Sequence, residues 1–139
     1  IIFAKRMNLN DHLARHKLAD LFLDTIPYGA HTTCSDALWT GLPVVTKIGS
    51  AFASRVSASL LKAINLDELI TYSEKDYENL AVELALNPKK LSNIKKKLLT
   101  NIGKEPLFNT KLFTKNIELS YKEIYQRYKN NLPIANIEI

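Results

Sequence analysis

The chain has 139 residues and carries 19 Lys and Arg against 14 Asp and Glu, which gives a formal net charge of +5 at pH 7. This length fits one hydrophobic core, so we expect a single domain over residues 1–139. With 46% apolar and 24% charged residues, the composition excludes a disordered tail. No apolar run approaches the ~18 residues of a membrane span, and one cysteine excludes a disulfide framework. We therefore expect a cytoplasmic protein with no membrane partner.

The first residues, Ile1-Ile2-Phe3-Ala4, form an apolar quartet that predicts a buried strand. Because the chain opens there without an initiator Met or a charged leader, we interpret it as the C-terminal part of a longer protein. A polar turn follows, in which Asn10 is the predicted N-cap of a short helix over residues 11–19. The next apolar run, residues 21–23, predicts a second buried strand.

Proline and glycine mark the next boundaries. The segment 26–30 contains one of each and is predicted to be a loop. A helix is predicted over residues 33–40, stopped by Gly41, and a third strand over residues 43–46. Val56, Leu60 and Ala63 are predicted to form the inward face of the helix after that strand.

The last part of the chain becomes mainly helical. Residues 69–71 predict a fourth strand, and three further helices are predicted: one capped by Ser73, one that begins at Asn87-Pro88, and a long one through residues 113–128. Strands that alternate with helices predict βαβ units and a parallel sheet with helices on both faces. The sequence therefore predicts a Rossmann-like α/β fold that ends in long helices.

The basic excess lies in residues 86–139, where Lys89, Lys90 and Lys95–Lys97 form a cluster. Such a cluster can contact nucleic acid or dock a partner protein. However, apolar residues recur at helical spacing through the same segment, which is typical of an ordinary helix with a solvated outer face. No aromatic side chain interleaves with the lysines to stack on a base. We therefore expect no nucleic-acid partner.

All three histidines fall in two polar segments that follow predicted strands. In the first, His12, Arg15 and His16 are spaced three and four apart and so share one helix face. This cationic surface with flat rings could stack on a base and neutralise a phosphate. An ordinary solvated helix face is the alternative, and a metal site on His12 and His16 lacks a third ligand at a convincing spacing.

The second polar segment runs from Gly29 to Asp36. Ligands of open parallel sheets bind outside the carboxyl ends of the strands. There, Thr32 and Thr33 would place hydroxyl and N–H groups at a helix N-terminus, which favours a phosphate. The spacing of Thr33 and Asp36 also matches a capping box that needs no ligand. The dinucleotide fingerprint and the Walker lysine are absent.

Three stretches of the sequence resemble the O-GlcNAc transferase family, in the order in which the family carries them. They are LFLDTIPYGAHTTCSDALWTGLPVVT (residues 21–46), ASRV (53–56) and PLFNTK (106–111). The resemblance implies the C-terminal, nucleotide-sugar-binding half of a GT-B glycosyltransferase, with a catalytic lobe and tetratricopeptide repeats upstream. The Lys-rich composition and Asn-rich turns further suggest a bacterial source.

The resemblance also implies a role for individual residues in binding a UDP-sugar. The resemblance implies that the main chain of Ala4 contacts the base edge, that His12 packs on the uracil ring and that Arg15 lies near the nucleotide. It further implies that the diphosphate is bound by His31, Thr32 and Thr33. Asp36 would bind the ribose. Where animal members of the family carry a Lys before His12, this chain has Asn8 and Leu9.

The implied activity is inverting transfer of GlcNAc from UDP-GlcNAc to Ser and Thr hydroxyls of proteins. No metal cofactor is expected, because the chain has no D-x-D pair to hold a divalent ion. The catalytic groups and the acceptor-binding parts would lie upstream, so this chain alone is expected to be inactive. Two alternatives stay open: a SPINDLY-like fucosyltransferase that uses GDP-fucose, which His31 disfavours because those relatives usually lack a His there, and a non-catalytic module that binds partner proteins.

Overall fold

A computed structural model describes all 139 residues. Residues Ile1–Leu107 form one compact unit, and residues Phe108–Ile139 form a second. The first unit contains a parallel sheet and five helices, and the second contains one long helix followed by a tail without regular structure. The expectation of a single domain over residues 1–139 stays a prediction.

The sheet has three parallel strands in the order β1 (Phe22–Leu23), β2 (Val44–Lys47) and β3 (Ile70–Thr71). In the central strand β2, three consecutive residues, 44–46, are buried. Because consecutive strand residues point to opposite faces of a sheet, both faces of β2 are covered, and helices supply that cover. This confirms the predicted α/β fold and three of the four predicted strands.

Six α-helices surround or follow the sheet. They are α1 (Leu9–Arg15), α2 (Thr32–Trp39), α3 (Val56–Ala63), α4 (Glu74–Leu86) and α5 (Pro88–Ile102) in the first unit, and α6 (Thr110–Lys129) in the second. No helix has both the length and the apolar character that crossing a membrane requires.

Several predicted helix boundaries are confirmed by the caps that form them. The Ser73 side chain accepts a hydrogen bond from the Asp76 N–H at the start of α4. Asn87 caps α5, with Pro88 as its first residue. Gly41 follows the end of α2 with φ of +84°, a left-handed conformation that glycine adopts without strain.

Two predictions near the start of the chain are wrong. Residues 1–4 form no strand, and Ile1, Ile2 and Phe3 are almost fully exposed. An apolar run becomes a strand only where a neighbouring strand supplies hydrogen bonds, and none of the three strands pairs with these residues. In addition, α1 begins earlier than predicted, because the side chain of Asn8 rather than Asn10 accepts from the Asp11 N–H.

The inward face of α3 also differs from the prediction. Ser57, Ala58 and Leu61 are buried, whereas the predicted residues Val56, Leu60 and Ala63 are only half-buried. Both faces of this helix carry apolar side chains, so periodicity alone did not distinguish them. The packing of α3 against β2 and α2 decides which face turns inward.

The lysine cluster lies along α5, whose apolar stripe of Leu91, Ile94 and Leu98 is buried. Lys95 forms an ion pair with Asp20 at 2.7 Å, and Lys97 forms one with Glu68 at 2.8 Å. Lys90 also forms an ion pair, with Glu83 at 2.6 Å. The expected amphipathic helix is therefore confirmed, and three lysines of the cluster already pair with carboxylates of the same unit.

Replacing Leu38, which is fully buried in α2, tests the core of the first unit. We expect Leu38→Ala to lower the free energy of unfolding by about 2–5 kcal/mol, because it leaves a cavity among packed side chains. Urea unfolding followed by circular dichroism measures the loss. The matched control is Leu86→Ala, at a leucine that is 79% exposed, for which we expect a change within about 0.5 kcal/mol. Equal losses in the two variants would contradict the position of the core.

Candidate functional site

The carboxylate of Asp24 anchors the loop between β1 and α2. Asp24 is only 5% exposed. Its Oδ1 accepts hydrogen bonds from the N–H groups of Thr25 at 2.8 Å and Ala30 at 2.6 Å, and its Oδ2 accepts one from the Thr46 hydroxyl at 2.7 Å. The Tyr77 hydroxyl donates to the main-chain carbonyl of Asp24 at 2.7 Å. The three bonds to the carboxylate compensate its burial, and the bonds from Thr46 and Tyr77 connect the loop to β2 and α4.

The same loop is joined to the loop between β2 and α3. The Gly29 N–H donates to the Ala53 carbonyl at 3.0 Å, and the Ser57 hydroxyl donates to the Ala30 carbonyl at 2.6 Å. A Cβ on Gly29 would lie 3.1 Å from a carboxylate oxygen of Asp24 and 3.2 Å from the Ala53 carbonyl oxygen. The missing side chain therefore allows the two loops to approach this closely.

Helix α2 begins at this junction. His31 is its N-cap residue and makes no side-chain capping bond. Thr33 lies inside the helix, so the predicted capping box of Thr33 and Asp36 is wrong, because only a residue before the helix can cap it. The hydroxyls of Thr32 and Thr33, their main-chain N–H groups and the carboxylate of Asp36 make no hydrogen bond within the chain.

Thr32 and Thr33 border an open cleft. The cleft has a volume of about 520 Å³ and is lined by the end of β1, the following loop and the first turn of α2. Its lining residues are Phe22, Thr25, Tyr28, Gly29, Ala30, His31, Thr32 and Thr33. It lies at the carboxyl end of β1, which is where open parallel sheets bind their ligands. The cleft and the helix N-terminus together can hold an anion.

The first polar segment reaches the other end of α2. The Thr40 hydroxyl donates to the main-chain carbonyls of Asp36 and Ala37, both at 2.9 Å. Since its hydrogen is used there, Nδ1 of His16 donates to Thr40 Oγ1, at 3.1 Å. The ring of His12 lies edge-on to that of His16, with 5.0 Å between centroids. The two histidines of α1 and its continuation therefore lie beside α2.

The charges around His16 show which groups share this region. Burial lowers the pKa of His16 from 6.5, and the positive charges of His12 and Arg15 lower it further, whereas Asp36 raises it. The unfolded chain therefore binds more protons than the folded chain in the window just below pH 6.5. Acidification through this window lowers the free energy of unfolding.

The structure brings most of the predicted site residues together in two neighbouring groups. His31, Thr32 and Thr33 border the cleft. His12, Arg15 and Asp36 act electrostatically on His16, and Asp36 lies one turn along α2 from the two threonines. Ala4 lies in the exposed first segment and makes no hydrogen bond to these residues.

Sequence reasoning missed Asp24, Tyr28, Phe52 and Ala53 as parts of this site. Asp24 gave a usable signal, because an acidic residue directly after a buried strand lies at the ligand-binding edge of a parallel sheet. The sequence gives no sign of the contribution of Ala53, because that contribution is made by a main-chain carbonyl, which every residue has. Only the folded arrangement of the two loops reveals it.

Comparison with known proteins identifies the family. The model of glycosyl transferase family 41 matches residues 1–117. The chain belongs to this family. It is 39% identical, over 86% of its length, to a protein of Petunia hybrida named a probable UDP-N-acetylglucosamine–peptide N-acetylglucosaminyltransferase SPINDLY. It is 34% identical, over 99% of its length, to the UDP-N-acetylglucosamine–peptide N-acetylglucosaminyltransferase of Caenorhabditis elegans.

A solved structure of the family gives the same fold. A mutant of the Thermobaculum terrenum O-GlcNAc transferase superposes with a TM-score of 0.78 at 31% identity and covers 86% of this chain. The match confirms the resemblance and the predicted fold class. This chain spans 23% of the length of that chain, 13% of the Petunia protein and 12% of the Caenorhabditis protein.

Asp24→Asn tests the anchor of the family 41 cleft. An asparagine side chain keeps one acceptor oxygen, but it has no charge, and an NH2 donor group replaces the second oxygen. We expect the free energy of unfolding to fall by about 1–3 kcal/mol, because buried donors lose their acceptor. Urea unfolding measures the loss. Asp67→Asn, at an exposed aspartate whose carboxylate makes no hydrogen bond within the chain, is the control, and a loss as large there would argue against the anchor.

The histidine neighbourhood is tested by the pKa of His16. We expect His12→Gln to raise this pKa, because it removes a nearby positive charge, and Asp36→Asn to lower it, because it removes the favourable negative one. The His16 ring-proton shift, followed by NMR against pH, gives both values. An unchanged value in the Asp36→Asn variant would show that His16 does not lie beside α2 in solution, and His12→Gln serves as the control within the same helical segment.

Proposed function

We propose that this chain is the donor-binding part of a protein O-GlcNAc transferase. The full protein would move GlcNAc from UDP-GlcNAc to Ser and Thr hydroxyls with inversion at the anomeric carbon. One observation carries the proposal: at the start of α2, the hydroxyls and N–H groups of Thr32 and Thr33 have no hydrogen-bond partner within the chain and lie beside an open cleft. The Asp36 carboxylate, one turn further along α2, also makes no hydrogen bond within the chain. Because the chain belongs to glycosyl transferase family 41, we assign a nucleotide-sugar as the ligand of these groups.

The diphosphate of UDP would bind at the start of α2. The N–H groups of Thr32 and Thr33 are free there, and their hydroxyls are exposed beside them. The positive end of the helix dipole adds a favourable field for an anion. His31, at the N-cap, would complete this side of the diphosphate site.

The nucleoside would extend toward α1. Asp36 has a carboxylate free to accept bonds from ribose hydroxyls, and His12 would pack on the uracil ring. Arg15, whose guanidinium donates to the Lys5 carbonyl at 3.2 Å, would supply positive charge near the nucleotide. The main chain at Ala4 would read the base edge. Asp36 and His12 both influence the pKa of His16, which supports one continuous site.

The transfer itself would use these groups to stabilise the leaving group. As an acceptor hydroxyl attacks the anomeric carbon, negative charge grows on the departing UDP. Fixed N–H and hydroxyl donors aimed at that charge favour the transition state over the ground state. Our proposal therefore includes no metal cofactor. The groups that bind and deprotonate the acceptor protein would come from outside this chain, so we expect the chain alone to be inactive.

The names of the relatives support this donor. Both the Petunia and the Caenorhabditis proteins are named for UDP-N-acetylglucosamine. A cytoplasmic location belongs to the same proposal and is supported by the single cysteine, Cys34, which is free, as is usual for proteins of reducing compartments.

Nucleotide titration tests the proposal. Ligand-observed NMR of the chain with UDP, UDP-GlcNAc, GDP and GDP-fucose should show contacts that are selective for the uridine ligands. We expect Asp36→Asn to weaken UDP binding by about tenfold to a hundredfold, because a charged acceptor is lost, and Thr33→Ala by about twofold to tenfold.

Two exposed residues away from α2 provide matched controls. Asp67→Asn and Thr100→Ala make the same kinds of change on the same unit and should leave UDP affinity unchanged. Circular dichroism confirms that each variant is folded. Selective binding of GDP ligands would replace the proposal with the fucosyltransferase alternative, and equal losses in site and control variants would contradict the assigned site.

A further inference from the structure

The imidazole ring of His31 is held between two aromatic rings. Tyr28 stacks on it with 5.2 Å between centroids and 18° between planes. Phe52 approaches it edge-on, at 5.9 Å and 88°. Tyr28 is 65% and Phe52 is 79% exposed, so neither ring is placed by core packing. Their shared contact is the side chain of His31.

A hydrogen bond identifies the protonated nitrogen of that ring. Nε2 of His31 lies 3.2 Å from the carbonyl oxygen of Ala53. A carbonyl can only accept a hydrogen bond, so Nε2 must carry the hydrogen. The neutral ring is therefore the Nε2–H tautomer, with a free lone pair on Nδ1.

The position of Nδ1 follows from the covalent structure of histidine. Nδ1 is closer than Nε2 to the residue's own main chain, and the main chain of His31 is the N-cap of α2. Nδ1 makes no hydrogen bond within the chain. It is therefore the ring nitrogen that is left for a ligand at the start of α2.

We propose that the β2–α3 loop, through the Ala53 carbonyl and the Phe52 ring, orients His31 so that its Nδ1 donates a hydrogen bond to the diphosphate. This rests on the function proposed above. A phosphate oxygen accepts hydrogen bonds, so the contact requires a hydrogen on Nδ1. That proton comes from solvent when UDP binds, and it makes His31 an imidazolium whose Nε2–H stays on Ala53. Phe52 and Tyr28 are positioning residues, because they act through His31.

The direct test reads both ring nitrogens in the unaltered chain. Histidine-selective ¹⁵N labelling with long-range proton–nitrogen NMR distinguishes a protonated from an unprotonated ring nitrogen. At about pH 8, we expect the ring of His31 to have a protonated Nε2, which bonds to the Ala53 carbonyl, and an unprotonated Nδ1. Saturating UDP should then protonate Nδ1 and leave Nε2 protonated. The opposite tautomer without UDP, or an unprotonated Nδ1 with UDP bound, would overturn the proposal.

A variant series tests the role of the aromatic ring. Phe52→Leu removes the edge contact, so the His31 nitrogen signals should move toward those of a tautomer mixture, with UDP affinity reduced by about twofold to tenfold. Phe52→Tyr keeps the ring and should restore both. Phe113→Leu, at another exposed phenylalanine, is the matched control and should change neither. If Phe52→Leu leaves the nitrogen signals unchanged, Phe52 does not position His31.

The same spectra separate this proposal from the proposed function. If UDP moves no histidine signal at any concentration, the donor-binding function fails, and the spectrum without UDP still decides whether the loop selects the tautomer. If UDP moves the signals of His12 but not those of His31, nucleotide binding stands and the assignment of Nδ1 to the diphosphate fails.

Discussion

The cleft depends on one buried carboxylate. Asp24 ends the first strand, and its two oxygens accept hydrogen bonds from the following loop and from the hydroxyl of Thr46 in the central strand. Without these acceptors, the N–H groups of Thr25 and Ala30 and the buried hydroxyl of Thr46 would lose their hydrogen-bond partners, which is costly. Asp24 thereby determines the path of the chain from β1 to the start of α2. Its own side chain acts through the shape of the loop.

The second determinant is the close approach of two loops. Gly29 has no side chain to separate them, so the Ala53 carbonyl can accept hydrogen bonds from both the Gly29 N–H and the His31 ring. A backbone group thus takes part in the site without any signature of its own in the sequence. The loop between β2 and α3 belongs to the candidate site because the Ala53 carbonyl contacts the His31 ring, while the hydroxyls and N–H groups of Thr32 and Thr33 make no hydrogen bond within the chain.

Helix α2 connects the two parts of the site. Its N-terminus carries the free threonines, and its last turn receives His16 through Thr40, with Asp36 between them. The lengths of α1 and α2 therefore set the separation between His12, for which we propose base packing, and the N-terminus of α2, for which we propose diphosphate binding. This arrangement suits an elongated ligand with a base at one end and phosphates at the other.

The sequence by itself determined the fold class, most helix boundaries and the candidate residues on α2, because strand–helix alternation, caps and family motifs are local patterns. Tertiary structure decided what local patterns leave open. The apolar quartet Ile1–Ala4 predicts a strand, yet no strand pairs with it. Thr33 and Asp36 fit a capping box, yet α2 starts one residue earlier and frees both. The inward face of α3, the Asp24 anchor and the tautomer of His31 all depend on contacts between segments far apart in the chain.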